Sequence, residues 1–270
     1  MVADGRRMVF ALSMCAGLLV LGGCSTTGPG SVTDESLGED TPHLGVSENR
    51  EAARINTELG VGYLERGYLE LAVEKLERAV RFDGRYAPAH HALALAMEQV
   101  DETDRARQHF ERAVALAPDD PQLQNNYGAF LCGEGAFDEA QAAFKAALSR
   151  PLYRTPEFAL TNAGMCYQDA GDHEAAVNAF RRALERRPGY APAQLDLARS
   201  LLEAGQPAEA AEAMRTFENA QRHTPASLKL AIRIDEAVGD RDARASHALL
   251  LRGRFPDSDE ARWLEQRQTP

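Results

Sequence analysis

The sequence predicts an all-α protein, a right-handed superhelical solenoid of about six helix-turn-helix units with a short cap. Three observations carry that prediction. A bulky residue followed by a small one recurs as Leu59-Gly60, Leu93-Ala94, Tyr127-Gly128, Ala163-Gly164, Leu197-Ala198 and Ala231-Ile232, at spacings of 34, 34, 36, 34 and 34 residues. Twelve residues after the small member stands Ala72, Ala106, Ala140, Ala176 or Ala210, with Arg244 the exception, and four further on stands Leu76, Phe110, Phe144, Phe180 or Met214. Chain breakers fall midway through the units, at Arg66-Gly67, Gly133-Glu134-Gly135, Ala170-Gly171-Asp172 and Ala204-Gly205-Gln206, and Pro118, Pro188 and Pro256 close three of them. A period of this length, split by glycine turns, describes antiparallel helix pairs that bury their apolar faces only by stacking on their neighbours.

The elements follow in order. Residues 1–23 read as an export signal: Arg6 and Arg7 form a positive start, and residues 9–21 are an apolar run of 13 residues, too short to span a bilayer comfortably. The run ends in Leu21-Gly22-Gly23-Cys24, which resembles the lipobox of bacterial lipoproteins. An ordinary secretory signal with an incidental cysteine and a short uncleaved anchor are the alternatives. The resemblance implies that Cys24 becomes the first mature residue, carrying diacylglycerol on sulfur and an N-acyl chain, with no other cofactor. Ser25, where an aspartate would hold the protein at the inner membrane, implies the outer membrane, lipid-anchored and facing the periplasm. Residues 24–50 hold only four clearly apolar side chains, Val32, Leu37, Leu44 and Val46. That composition cannot offset its own ordering, so the segment reads as a flexible tether reaching roughly 25–30 Å.

Residues 51–270 carry the repeats, near 53–86, 87–120, 121–156, 157–190, 191–224 and 225–258, and then a cap. These are tetratricopeptide repeats. The small residue lets the second helix approach, the alanine mirrors it, and the large apolar residue is expected to fill the space between neighbouring units. The sixth unit departs from the pattern, with Asp235 where Tyr or Leu is usual, and Trp263 is assigned to the capping helix.

The formal net charge of −11 argues against nucleic acid, whose phosphates need a basic stripe, and against an electrostatic hold on an anionic bilayer. Catalytic chemistry is not legible. No phosphate loop, nucleophile elbow or His-Glu-x-x-His helix occurs, so neither an enzyme, a metal centre nor a small-molecule substrate is expected. His90 and His91 are adjacent and point about 100° apart on a helix; a contact between one of them and His109 is conceivable, though a polar surface histidine is the plainer reading. Cys132 and Cys166 sit on first helices that stacking would place side by side. An export route permits a disulfide there, and two buried thiols that never meet are the alternative. Asn126 and Asn162 precede their bulky–small pairs identically and read as structural.

A solenoid of this type offers the exposed side of its first helices to partners. Counting one residue past each small member gives Val61, Leu95, Ala129, Met165 and Arg199, and counting three before gives Thr57, His91, Asn125, Thr161 and Leu195, with Leu64 extending the row in the first unit. The row is apolar through four units, becomes charged at the fifth with Arg199, and lacks the lysines that clamp acidic peptide ends, so it suits an apolar or amphipathic segment. Packing between units is the alternative use of these residues.

The stretches "NNYGAFLCGEGAFDEAQAAFKAAL" (125–148) and "NAGMCYQDAGDHEAAVNAFRRAL" (162–184), the insertion around "SRPLYRTPE", the lipobox and the repeat count closely resemble the type IV pilus biogenesis and stability lipoproteins, the PilW/PilF pilotin family. The resemblance implies an outer-membrane adaptor that binds the pilus secretin subunit and promotes its localisation and multimerisation, and so pilus biogenesis and twitching motility. It also implies lipidation at Cys24, a family cysteine pair at Cys132 and Cys166, and secretin contact along the groove row. A periplasmic scaffold for peptidoglycan enzymes or outer-membrane protein assembly is the rival reading.

Overall fold

A computed structural model describes residues 45–267. Among the described residues the chain is helical, with no strand: α1 (Val46–Glu65), α2 (Leu69–Phe82), α3 (Ala87–Gln99), α4 (Thr103–Leu116), α5 (Pro121–Gly133), α6 (Phe137–Leu148), α7 (Pro156–Asp169), α8 (His173–Arg186), α9 (Ala191–Glu203), α10 (Pro207–Ala220), α11 (Pro225–Val238), α12 (Arg241–Arg254) and α13 (Asp259–Gln266). They pair as α1/α2 through α11/α12, with α13 packed on α11 and α12. The described residues fall into two compact units, 45–118 with α1–α4 and 119–267 with α5–α13.

The first helix starts at Val46, inside the segment read as tether, so the tether's boundary at residue 50 is corrected. Apolar content misjudged this turn because its anchors are polar. The Glu48 carboxylate accepts the Gly45 N–H at 2.8 Å, satisfying a donor the helix start leaves open. Arg50 pairs with Asp83 and lies over the Tyr86 ring at 5.1 Å.

The turn between the two helices of a repeat needs one residue in the left-handed region. Gly171 supplies it in the fourth repeat with φ 80°, and Asp101 in the second with φ 60°; a short polar side chain tolerates that conformation better than most. Proline opens several helices, as at Pro121, Pro156, Pro207 and Pro225, where the missing N–H had no partner to lose. Asp120 caps α5 by accepting from Gln122 N at 2.9 Å and Leu123 N at 3.2 Å.

The large apolar column packs inside its own repeat, which corrects the expectation that it fills the space between units. A Cβ built on Gly60 would lie 2.5 Å from Leu76, on Gly128 2.8 Å from Phe144, and on Gly164 2.7 Å from Phe180. The glycine is a notch for the side chain facing it, and burying each phenylalanine there contributes about 1.5–3 kcal/mol. In the sixth repeat the same two positions hold Ile232 and Ala248, both in the cluster of Leu228, Leu251, Ala261 and Leu264 that α13 closes. Trp263 lies partly buried against that cluster, with Lys229 Nζ and the Arg267 guanidinium each 5.2 Å from its ring centroid.

A polar ladder runs through the larger unit. Asn162 Nδ2 donates to Asn125 Oδ1 at 3.1 Å, and Asn125 Nδ2 to Asn126 Oδ1 at 3.2 Å. Further along α7, Gln168 Nε2 donates to Ser200 Oγ and to the Asp196 carbonyl at 3.1 Å. Buried amides that find partners fix which turn of one helix meets which turn of the next. Cys132 and Cys166 are disulfide-bonded with Cα atoms 5.7 Å apart, joining α5 to α7.

Candidate functional site

The expected groove row is largely internal. In the smaller unit Thr57, Leu64 and Leu95 are buried, and Thr57 spends its hydroxyl on the Ala53 carbonyl at 2.8 Å. In the larger unit Asn125 is 0% exposed and Ala129 and Met165 are buried. Val61 and His91 are partly exposed, and His91 leans on Phe110 with centroids 6.1 Å apart. The physical reason is stacking: α1 packs on α3, and α5 and α9 on α7, so the helix face on which these residues lie is consumed between first helices. Six of these eight residues are therefore packing residues, and as an open groove the row is corrected.

An apolar surface that remains open lies elsewhere on the first repeat. Ile55 and Leu59 are 44% and 48% exposed, and Tyr68 and Leu71 on α2 are also exposed. Counted from the small residue of each repeat, the positions equivalent to Ile55 hold Ala89, Leu123, Ala159, Ala193 and Ser227, all buried. Ile55 and Leu59 thus sit on the stacking face of a repeat that no described helix covers. They stand one turn apart on that face. The period placed Leu59 in its column, but a column says nothing about which unit stands at the end.

Two histidine clusters are present. In the smaller unit, His90 Nδ1 lies 3.0 Å from His109 Nδ1, and His90 Nε2 lies 3.2 Å from the Gly84 carbonyl. With Nε2–H donating to that carbonyl, His90 Nδ1 is the acceptor and His109 Nδ1–H the donor. Burial lowers both pKa values, as desolvation disfavours a charged imidazole. In the larger unit, His247 on α12 donates from Nδ1 to Asp235 Oδ2 on α11 at 2.7 Å, and its Nε2 lies 3.2 Å from Glu218 Oε1 at the end of α10. Asp235 first, then Glu218, hold the His247 pKa up at about 9. His223, in the connection from α10 to α11, brings Nε2 to 3.8 Å from the same Glu218 oxygen, and burial lowers its pKa.

Cys24 and residues 1–44 lie outside the described residues, so the signal, the lipidation site and most of the tether have no structural account. No described helix is long and apolar enough to cross a membrane.

Comparison with known proteins places this architecture. Residues 88–151 match the model of YpiA-like C-terminal tetratricopeptide repeats, and residues 167–234 match that of the tetratricopeptide repeat. Over 243 residues the chain is 28% identical to the type IV pilus assembly protein PilF of Pseudomonas aeruginosa, covering 89% of this chain and 92% of that one. It is 32% identical over 135 residues to an uncharacterized protein of Haemophilus influenzae, covering 50% of this chain and 73% of that one. The crystal structure of PilW, described as a widely conserved type IV pilus biogenesis factor, superposes with a TM-score of 0.74 at 29% identity, covering 78% of this chain and 97% of that one. The structure of Pseudomonas aeruginosa PilF gives a TM-score of 0.71 at 27% identity, covering 82% of this chain and 100% of that one. Proteins of this kind are protein-interaction scaffolds and not enzymes. The chain is a tetratricopeptide-repeat protein homologous to PilF and similar in structure to PilW.

Proposed function

We propose that the chain is an outer-membrane lipoprotein of type IV pilus biogenesis, a pilotin that binds the pilus secretin and promotes its localisation and multimerisation. The observation that carries this reading is the match to PilF along 89% of the chain, with 92% of that protein covered. The mechanism is co-localisation. Acyl chains on Cys24, each contributing about 0.8 kcal/mol per buried CH₂, hold an acidic protein that charge alone would not hold. A client bound to the repeats then meets the membrane at a raised effective concentration, which gains avidity without new chemistry. The open apolar face of the first repeat, with Ile55 and Leu59, supports an amphipathic client segment over an acidic peptide.

The test is a tagged pull-down from detergent-solubilised outer membranes followed by mass spectrometry. Secretin as the leading partner supports the reading, and peptidoglycan enzymes or barrel-assembly subunits in its place favour the rival scaffold. Cys24→Ala is expected to leave the repeats folded and secretin multimers depleted from the outer membrane. Ile55→Glu with Leu59→Glu is expected to abolish client capture while helicity at 222 nm is kept, because both side chains already face solvent. Normal multimers in that double variant sink the docking assignment.

A further inference from the structure

Glu218, His223 and His247 each offer one ligand atom, and these three atoms lie within 4.8 Å of one another. Their hydrogen-bond partners orient them. Ser227 Oγ donates to the Thr224 carbonyl at 3.0 Å, so at 3.3 Å from His223 Nδ1 it accepts that N–H and leaves the His223 Nε2 lone pair free. Asp235 takes the Nδ1–H of His247 in the same way, so in the neutral ring the His247 Nε2 lone pair faces the site as well. Glu218 Oε1 is inaccessible to solvent and accepts no hydrogen bond of normal geometry, although His247 Nε2 is 3.2 Å away. Three groups able to ligate a metal, from α10, from the α10–α11 connection and from α12, therefore converge around a carboxylate oxygen that is closed to solvent.

We propose that Glu218, His223 and His247 bind a divalent transition-metal ion, zinc by its donor set, which clamps the sixth repeat to the fifth. Two imidazoles and one carboxylate are a zinc ligand set that leaves a fourth position for water. Bonds of about 2.0–2.1 Å imply ligand atoms about 3.3 Å apart in a tetrahedron; the Glu218 oxygen is already 3.2 Å from His247 and 3.8 Å from His223, and the two histidine nitrogens lie within 4.8 Å of each other, so closure draws the His223 ring inward. Asp235 behind His247 and Ser227 behind His223 are the outer partners that fix tautomer and ring orientation at such sites. Charge closes as well: Glu218 and Asp235 balance a doubly positive ion when both histidines are neutral. Arg254, at the end of α12, acts on His223 against a cation, and the two carboxylates outweigh it. Asp235 breaks the repeat pattern, in a column that holds Leu131, Tyr167 and Leu201, whereas the column of His247 holds Ala143, Ala179 and Ala213 in the middle repeats but Lys75 and His109 in the first two.

The experiment uses the full chain in detergent, stripped with a chelator, equilibrated with zinc chloride and freed of excess. One zinc per chain is expected by elemental mass spectrometry, and cobalt in its place is expected to give the intense visible absorption of a tetrahedral ion. His223→Ala and His247→Ala each lose the ion, Asp235→Asn weakens it about 10–100-fold, and His90→Ala with His109→Ala keeps it. Diethyl pyrocarbonate labelling of the unmodified chain needs no variant: zinc is expected to protect His223 and His247 and leave His91 and His173 reactive. A chain that retains no zinc, a zinc content in the two histidine variants equal to that of the unmodified chain, or labelling of His223 and His247 unchanged by zinc overturns the site. Client capture is read separately, so neither result decides the other.

Discussion

In the fourth repeat the first helix offers Gly164 as a notch and the second fills it with Phe180; in the sixth, the same two positions hold Ile232 and Ala248. The large and small members have exchanged helices. Both repeats close because protein interiors reward filled volume, whichever element supplies it. What the repeat keeps is the combined bulk of the pair. The same contrast holds for the polar groups. The fourth repeat is tied to the third by the Asn162–Asn125 bond and the Cys132–Cys166 disulfide. The sixth sets Asp235 and His247 against Glu218 of the fifth, an ionic cluster in columns that are apolar in the middle repeats. Buried glue between neighbouring repeats is therefore covalent and neutral in the middle and charged at the end, while ion pairs such as Arg181–Glu209 lie on the surface.

The largest effect should come from breaking the volume match. Phe180→Ala is expected to cost about 3–5 kcal/mol as a cavity, and Gly164→Ile about 1–3 kcal/mol or more as overpacking. The double variant, which copies the assignment of the sixth repeat, should be less destabilised than the sum, with a coupling of about 1 kcal/mol or more by urea unfolding. Strict additivity would mean that the two positions are not one packing unit. Next comes the covalent tie: Cys132→Ala with Cys166→Ala should cost about 3–4 kcal/mol on the chain-entropy estimate for a separation of 34 residues. Hydrogen exchange should locate that loss in α5–α8 and leave α11–α13 protected as before. Smaller again is Asp235→Leu in chelator-treated protein. It restores the apolar column and strips His247 Nδ1 of its acceptor, and a loss of about 1–3 kcal/mol is expected. A gain in stability would show that the repeat pattern, and not the ionic cluster, governs this position.

The helix pairs, their turns and the cap were legible because each rests on a local periodicity. The cysteine pair was legible as a candidate for a different reason, since both lie late on neighbouring first helices that stacking brings side by side, although their registers differ by two residues. The groove was not. Thr57, Asn125, Ala129 and Met165 occupy positions that face a partner only if first helices splay apart, and stacking distance is set by tertiary packing that no column records. The start of α1 was misjudged because Glu48 and Arg50 anchor it with hydrogen bonds and charge, which a tally of apolar residues does not count. The cluster at Glu218 escaped because His223 lies outside the repeat columns altogether. Its one signal was the departure at Asp235, which looks like decay of the pattern until its spatial partner His247 is known.

The smallest effect sharpens the comparison by pH. His109 and His247 stand at the same register, 15 residues past the small residue of their repeats, yet burial lowers the first while carboxylates hold the second at about 9. For His90 and His109 the folded pKa lies below the unfolded value near 6.5, so the unfolded chain binds protons first as pH falls. Stability tied to this pair is therefore complete above 6.5 and lost on acidification below it. His247 works in the opposite sense, its contribution complete below the unfolded value near 6.5 and lost as pH rises through about 9, and it is common to both chains compared below. Unfolding free energies of the unmodified chain and of His109→Ala between pH 7 and 5 should converge as the solution becomes more acidic. Parallel curves would mean that the Nδ1–Nδ1 contact leaves the proton affinity of the pair unchanged.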